Sequence, residues 1–311
     1  MTAVPASWRF DAIGTTWEIV TERPLPEAVR REVTARIDAF DRAWSRFRDD
    51  SDVTALARTG GSIPAPEDAV PMLDALAGVS DATGGAVNPL VGASLDALGY
   101  DARYSFHDAD PVTSPADWRE RLTWQGGRLA LAEPATVDVG ALGKGRLVDL
   151  VLGILSLTES GDLTVDAGGD LAVRGRPQRI GLEHPFDPRR AIGVWEVTDA
   201  ALCASAINRR AWPSATGATL HHVLDARTGQ PVRTIAATWA VAPDAMTADA
   251  IATALFFDGG PRLAHDWGVE WVRMTTDGRV EWSRGCRADL FVRTTAGPGT
   301  APVSRPNSLE R

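Results

Sequence analysis

The chain has 311 residues, of which 44% are hydrophobic and 23% charged, and its formal net charge is −9. A chain of this length and composition can bury a sizeable core, which excludes an intrinsically disordered protein. The negative charge argues against nucleic acid or an anionic membrane surface as the main partner.

The two cysteines, Cys203 and Cys286, lie far apart, and the sequence contains no CxxC or Cys/His ligand spacing. Neither a structural zinc site nor a disulfide framework is therefore expected. The first residues lack an apolar signal core and a cysteine that could carry a lipid, and no run is long enough to cross a bilayer. These features predict a cytoplasmic location for the sequence as written. An extracytoplasmic protein whose leader has been trimmed would have the same sequence.

The first half of the chain has mainly helical patterns. Alternating apolar and polar residues over 7–21 predict one strand around Gly14. Helices are expected at 26–47, 52–58, 66–82 and 91–99. Ser114-Pro115 is typical of the cap and first turn of a further helix. The sequence LTWQGGRLALA predicts a hairpin about Gly126-Gly127.

The second half has mainly strand patterns. A strand at 136–139 is expected to lead through the turn GALGKG into a helix at about 146–157. Short strands are expected within 162–242, at LTVDA, LAVRG, RIGLE, IGVWEV, ALCASA, TLHHVL and IAATWAVA. A helix at 247–257 and a hairpin about Asp277-Gly278 follow.

Helices come early and strands late, without regular βαβ alternation, which predicts an α+β fold rather than a doubly wound sheet. Residues 1–293 are expected to form one domain. Residues 294–311 are rich in Pro, Gly and Ser and are expected to form a flexible tail.

The segment VDVGALGKGRLVD (137–149) contains Lys144, the only lysine among the 32 Lys and Arg residues. Glycines at the start of a helix leave backbone N–H groups facing an anion, with the positive end of the helix dipole behind them. An ammonium is a compact donor that a guanidinium cannot imitate. The P-loop and GxGxxG signatures are both absent. The segment is therefore either a phosphate-binding turn or a tight structural turn.

The segment DAMTADAIATAL (244–255) contains Asp249 and Thr253, whose spacing of four places both on one face of a helix. Their neighbours are Ala, Met, Ile and Leu, so the helix is expected to be buried, and a buried carboxylate needs a compensating charge. A hard cation that takes oxygen ligands would supply it. The alternative is a polar helix face that meets water.

The segment HHVLDARTG (221–229) places two histidines in a predicted strand, where neighbouring side chains face opposite sides. One of His221 and His222 is therefore expected to face a site while the other packs or is solvated. A structural role for both is the alternative. Asp225 and Gly229 are typical of a turn before the next strand.

Taken in order, these segments resemble the FAD:protein FMN transferase family, also called ApbE-like flavin transferases. The resemblance runs from about Phe10 to about Ser283. It also includes FDAIGTTW, WSRFRDDSDVTALA, AVNPLVGASLDALGYD, VDAGGDLAVRG, RIGLEHPFDP and CASAINRR. The residues Ala57, Asn88 and Ala206 depart from the family pattern.

The resemblance implies an ApbE-like α+β fold, with mixed or antiparallel sheets and an FAD cleft between two lobes. It implies an enzyme that moves FMN from FAD to a Thr or Ser hydroxyl of an acceptor flavoprotein and releases AMP, with Mg²⁺ at the pyrophosphate. Two alternatives remain open. One is a Mg²⁺-dependent FAD pyrophosphatase that gives FMN and AMP, and the other is a flavin-binding protein without catalysis.

The resemblance also implies roles for particular residues. It assigns Mg²⁺ to the side chains of Asp249 and Thr253 and to the carbonyl of Ala141, and Met246 lies where some members have another ligand. Contacts with FAD are assigned to Ile13, Ala57, Asn88, Asp138, Lys144 and Asp225. His222, Asp249 and Lys144 would carry the catalysis. The general base is left open between His222 and a carboxylate of the metal site.

Overall fold

The computed structural model describes residues 5–215, 217–291 and 300–302. Over these ranges it contains eight helices and 19 strands whose pairings are all antiparallel, which confirms the predicted α+β class. The helices are α1 (Glu27–Trp44), α2 (Asp52–Thr59), α3 (Ala69–Ala82), α4 (Gly92–Ala97), α5 (Trp118–Arg121), α6 (Gly143–Thr158), α7 (Ala245–Ala254) and α8 (Gly260–Asp266).

The strands are short, and many of them join into one large sheet. They are β1 (Ala6–Ala12), β2 (Thr15–Thr21), β3 (Gly61–Pro64), β4 (Leu122–Thr123), β5 (Arg128–Leu131), β6 (Leu163–Asp166), β7 (Asp170–Arg174), β8 (Gln178–Glu183), β9 (Ala191–Val197), β10 (Ala200–Ala206), β11 (Ala211–Pro213), β12 (Thr219–His221), β13 (Leu224–Asp225), β14 (Gln230–Pro231), β15 (Ile235–Ala242), β16 (Glu270–Thr275), β17 (Arg279–Trp282), β18 (Asp289–Leu290) and β19 (Thr300–Pro302). In the described part of the chain, the large sheet has the strand order β1-β2-β6-β7-β10-β15-β16-β17-β19.

The large sheet is covered on both faces. Because side chains alternate along a strand, Leu202 of β10 belongs to the core beneath the small sheet β18-β9-β8, while Ala201 and Cys203 belong to the core beneath the helices. The strand β15 is buried along its whole length because both faces of the sheet are covered. Small side chains on the helix-facing side let α7 lie close to the sheet, and Thr238 of β15 donates its hydroxyl to the carbonyl of Ala252 at 2.7 Å.

The prediction of one strand over 7–21 is wrong, because β1 and β2 form a hairpin. Ile13 and Gly14 turn the chain between them, with φ angles of 46° and 74°, and Ala12 pairs with Thr15. Both turn residues adopt left-handed φ, as in the two-residue hairpin turns whose twist matches that of the strands. The alternation of apolar and polar residues continues through so short a turn, so the pattern alone hides the reversal.

Two other local predictions are also corrected. Residues 136–139 join none of the sheets in the described part of the chain, and the N–H of Asp138 donates to the carbonyl of Pro89 at 2.8 Å. Ser114-Pro115 does not cap a helix, because α5 begins at Trp118 and the N–H of Ser114 donates instead to the carbonyl of Ala226. The expected hairpins about 126–127 and 277–278 are confirmed.

The expected tail, 294–311, falls outside the described residues except for 300–302, which form β19 beside β17. Within the described ranges, each helix is either too short or too polar to cross a lipid bilayer.

Candidate active site

The site is organised by the contact between α6 and α7. The N–H of Gly145, in the first turn of α6, donates to Oδ2 of Asp249 in α7 at 2.9 Å, and Asp249 is only 3% exposed. A Cβ atom at position 145 would lie 2.2 Å from the carbonyl oxygen of Ala245. The glycine-rich turn and the late helix therefore meet, and the predicted burial of Asp249 is confirmed.

A second carboxylate fixes the start of α7. Asp149 of α6 accepts the N–H groups of Ala245 and Met246 at 2.7 and 2.9 Å, and Asp244 caps the same helix by accepting the N–H of Thr247 at 2.8 Å. Burial raises the pKa of Asp149 to about 6, although the two N–H bonds oppose that shift. The first turn of α7 is thus attached directly to α6.

The glycine-rich turn uses much of its own hydrogen-bonding capacity. The N–H of Gly140 donates to the carboxylate of Asp138, and those of Leu142 and Gly143 donate to the carbonyl of Val139. Together with the bond from Gly145 to Asp249, these contacts favour a tight structural turn over a cradle of free N–H groups.

A cleft with two adjoining chambers lies beside this turn. Both chambers are lined by Phe47, Asp138, Gly140 and Arg210. The first also includes Asn88, Ala141, His222 and Thr253, and the second includes Ile13 and Lys144. Seven of the ten predicted site residues therefore line these two chambers.

Three of the predicted site residues do not line this cleft. Asp249 is buried and contributes to neither chamber, and its carboxylate accepts the N–H of Gly145. Ala57 lies in α2 and contributes to neither chamber. Asp225 forms the turn that the sequence indicates: its carboxylate accepts the N–H and the guanidinium of Arg227, which lowers the pKa of Asp225.

Arg46 is a cleft residue that the sequence reasoning did not select. Its guanidinium is almost fully buried, donates to Asp138 at 2.6 Å and to Asp96 at 2.7 Å, and reaches the carbonyl of Tyr100. It therefore fixes the carboxylate of Asp138 between the two chambers. Arg46 lies in WSRFRDDSDVTALA, a segment that carries the family resemblance, and that position could have identified it.

Lys144 makes an ion pair with Asp170, a second residue that the sequence patterns did not predict to be in the site. Its Nζ lies 2.7 Å from Oδ2 of Asp170, which is 1% exposed. Burial alone would lower the pKa of Lys144, but the charges of Asp170 and Asp249 more than offset it and the net pKa is raised. Burial and the neighbouring Asp170 raise the pKa of Asp249. Two buried carboxylates thus share one ammonium, and a bound cation would compensate the remaining charge.

The two histidines have the different environments that the strand pattern predicts. His221 packs, with Nε2 2.8 Å from the carbonyl oxygen of Val232. His222 faces the cleft, and its buried Nδ1 has no hydrogen-bond partner among the described residues. Burial, reinforced by Arg210 and His221, lowers the pKa of His222 to about 3, so the ring is neutral at neutral pH.

An aromatic cluster contributes Phe47, Tyr100 and Tyr104 to the lining of the cleft. The ring of Phe47 stacks on Tyr104 at 5.3 Å and meets Tyr100 edge-on, and Tyr100 stacks on Trp212 at 5.6 Å. Arg210 donates to the hydroxyl of Tyr100. Tyr100 and Tyr104 are the only tyrosines in the sequence. That rarity could have marked them, as it marked Lys144.

Comparison with known proteins gives consistent matches over most of the chain. Residues 13–272 match the model of the ApbE family. A protein of Rhodobacter capsulatus named FAD:protein FMN transferase is 27% identical over 97% of this chain, although the chain covers only 61% of that relative. A protein of the same name from Treponema pallidum is 28% identical, with 86% of this chain and 83% of the relative covered.

Solved structures of the same family also have a similar fold. A crystal structure of the Pseudomonas stutzeri flavinyl transferase ApbE, in its apo form, superimposes with a TM-score of 0.77 at 23% identity, covering 90% of this chain and 95% of that one. The family match spans both helices of the α6–α7 contact and most of the cleft wall. The chain is a member of the ApbE family.

Proposed function

We propose that this protein is an enzyme that transfers FMN from FAD to a Thr or Ser hydroxyl of an acceptor flavoprotein and releases AMP. The observation that carries the proposal is the convergence of Lys144, Asp138, His222 and Thr253 on one cleft, with Asp249 bound to the residue that follows Lys144. The acceptor oxygen would form a bond to the phosphorus of the FMN half. The bond from that phosphorus to the bridging oxygen would break, and AMP would leave with that oxygen.

Mg²⁺ is the cation that this proposal requires. Asp249, Thr253 and the carbonyl of Ala141 would hold it, since they offer three oxygen ligands of the kind that Mg²⁺ prefers. Asp170 and Asp249 are two buried carboxylates beside one ammonium, that of Lys144, and this excess of negative charge supports a cation at this position. When bound, the ion would oppose the negative charge that develops on the phosphate oxygens.

The chain's own residues supply the remaining functions. Lys144 places a positive charge at the cleft wall, and Asp138, held by Arg46, offers a fixed acceptor for the nucleotide. Asn88 and Ile13 are the other proposed contacts with FAD. His222 borders the cleft, and its buried Nδ1 has no hydrogen-bond partner among the described residues, so it is one candidate base for the acceptor hydroxyl. A carboxylate of the metal site is the other candidate.

One experiment separates this proposal from its two alternatives. The protein is incubated with FAD and Mg²⁺, with and without a candidate acceptor, and AMP, free FMN and acceptor mass are measured. Transfer gives AMP matched by the acceptor's gain of one FMN. A pyrophosphatase gives equal FMN and AMP whether or not the acceptor is present. A binding protein without catalysis gives neither product and overturns the proposal.

The metal assignment has its own variant. Asp249→Ala is expected to lower turnover by about 10²–10³-fold, the effect of removing one strong electrostatic contribution, while FAD still binds, at reduced affinity. Asp258→Ala, which removes an exposed carboxylate just beyond α7, is the matched control and should keep full turnover. Unchanged turnover in Asp249→Ala would contradict the assignment of Mg²⁺ to Asp249, Thr253 and Ala141.

A further inference from the structure

Asp170 has an environment that the proposed chemistry does not yet explain. It begins β7 immediately after Gly168-Gly169, and its carboxylate is buried against the first turn of α6. Apart from the ion pair with Lys144, neither of its oxygens has a hydrogen-bond partner among the described residues. A buried carboxylate with so little compensation is costly for stability, and such groups are commonly kept for function.

The position of the partner lysine suggests that function. Lys144 immediately precedes Gly145, whose N–H binds Asp249, so the ammonium has two buried carboxylates within its electrostatic reach. It is paired with Asp170 and not with Asp249. The stem of a lysine is flexible, and an ammonium near a metal-binding carboxylate competes with a cation for it. The ion pair places the ammonium 2.7 Å from Oδ2 of Asp170 instead.

We propose that Asp170 is a positioning residue, which holds the ammonium of Lys144 at the cleft wall and so leaves the carboxylate of Asp249 available to a divalent cation. The inference rests on the proposed function for its metal site. Counted formally as ionised groups, Asp170, Asp249 and Lys144 sum to a charge of about −1, and to about zero once Asp170 is replaced by Asn. Loss of Asp170 is therefore expected to weaken cation binding by way of Lys144, and not through the fold.

The test measures cation binding directly, with Mn²⁺ as the probe and electron paramagnetic resonance of free Mn²⁺ as the readout. Asp170→Asn keeps the shape of the side chain and is expected to weaken Mn²⁺ binding by about tenfold or more. The double variant Asp170→Asn, Lys144→Met removes the competing ammonium and should return the affinity to within about threefold of the wild type. A double variant that binds as weakly as Asp170→Asn overturns the proposal.

A matched control guards against an effect of the turn itself. Asp166, at the end of β6, accepts the N–H of Gly169 at 3.0 Å and belongs to the same Gly-Gly turn without pairing with Lys144. Asp166→Asn should leave Mn²⁺ affinity within about twofold of the wild type. An equal loss in both single variants would mean that the turn, and not the position of the ammonium, controls the site.

The single lysine allows a second measurement should Asp170→Asn fail to fold. In wild-type protein labelled with ¹⁵N-lysine, the ammonium of Lys144 is the only lysine signal. Its protons should exchange slowly with water, both before and after Mg²⁺ is added, because the ion pair persists. Exchange as fast as that of a free lysine side chain overturns the proposal. Because these measurements need no turnover, they can overturn the role of Asp170 without overturning the proposed FMN transfer.

Discussion

At the scale of single residues, the absence of a side chain at Gly145 decides how closely α6 and α7 approach. A Cβ atom there would lie 2.2 Å from the carbonyl oxygen of Ala245 and 2.7 Å from Cβ of Asp249. A Ser or Thr, which a P-loop needs after its lysine, would not fit. Gly145 is one of two residues, with Asp138, that depart from the P-loop signature, and its missing side chain lets Asp249 approach the start of α6.

Gly145→Ala is expected to destabilise the protein by about 1–3 kcal/mol, because the added methyl group must separate two packed helices. It should also lower the rate of AMP release, since Asp249 would move with α7. Urea unfolding and a chromatographic assay of AMP measure the two effects.

Gly153 lies in the same helix and provides the control. A Cβ atom there would meet nothing within 4 Å, so Gly153→Ala should stabilise the protein by up to about 1 kcal/mol and leave AMP release unchanged. If Gly145→Ala behaved like Gly153→Ala, the close approach of α6 and α7 would not limit the site.

His222 links the site to the pH dependence of stability. Its pKa is about 3 in the folded state, against an ordinary value of 6.5. Below pH 6.5 the unfolded chain binds a proton that the folded chain does not, so stability falls as the pH drops from about 6.5 towards 3. For this group the loss between pH 7 and pH 5 is about 2 kcal/mol at most.

His222→Asn should remove that part of the pH dependence, so its free energy of unfolding should fall less than the wild-type value between pH 7 and pH 5. Urea unfolding at the two pH values measures the difference. His107→Asn, at an exposed histidine, should match the wild type. An unaltered pH dependence in His222→Asn would mean that this ring is not held in its neutral form.

At the scale of elements, the sequence predicts best where a pattern is long and local. The helices α1, α3, α6 and α7 each match a predicted helical segment, because their apolar positions recur over several turns. Asp249 and Thr253 could be selected for the same reason, since a spacing of four fixes their relation within one helix.

Contacts between distant segments could not be predicted in this way. The contact of Asp170 with Lys144, and that of Asp149 with the first turn of α7, depend on how elements pack. The strands β13 and β14 have two residues each and are strands only because they pair with each other. The reversal at Ile13-Gly14 leaves the alternation of apolar and polar residues intact. No local pattern records such contacts, so only the resemblance to a family placed these segments in one site.

Asp149 gives a test at this scale. Asp149→Ala would leave the N–H groups of Ala245 and Met246 without their acceptor at a partly buried helix end, which is expected to cost about 1–3 kcal/mol. It should also weaken Mn²⁺ binding, because α7 would no longer be fixed to α6.

Asp244→Ala is the comparison for Asp149→Ala, since it removes the cap at Thr247 but no contact between the helices. It should cost about 0.5–2 kcal/mol and leave Mn²⁺ binding close to that of the wild type. Urea unfolding and Mn²⁺ titration are measured on both variants. Equal losses of Mn²⁺ affinity would show that capping of α7, and not its attachment to α6, sets the metal site.

At the scale of the whole molecule, the cleft lies between the main core under the helices and a separate cluster of apolar side chains. That cluster contains Leu95, Leu98, Tyr100, Trp212, Leu220, Leu224 and Ala226. Tyr104, which also lines the cleft, is 43% exposed and stacks on Phe47. Residues from Ile13 to Phe257 therefore meet around a single cleft. A ligand bound there would connect segments from most of the chain.

FAD binding should accordingly stabilise the protein as a unit, by about 2.7 kcal/mol at a concentration of 100 Kd, seen as one shifted unfolding transition. Tyr104→Ala removes an exposed ring from the cleft wall and should weaken FAD binding by about three- to tenfold, which is the worth of one aromatic contact. Phe186→Ala, at an exposed aromatic residue outside the cleft, should leave FAD affinity unchanged. Titration of flavin fluorescence measures all three proteins. Equal affinity in Tyr104→Ala and the wild type would mean that the flavin ring binds away from this wall.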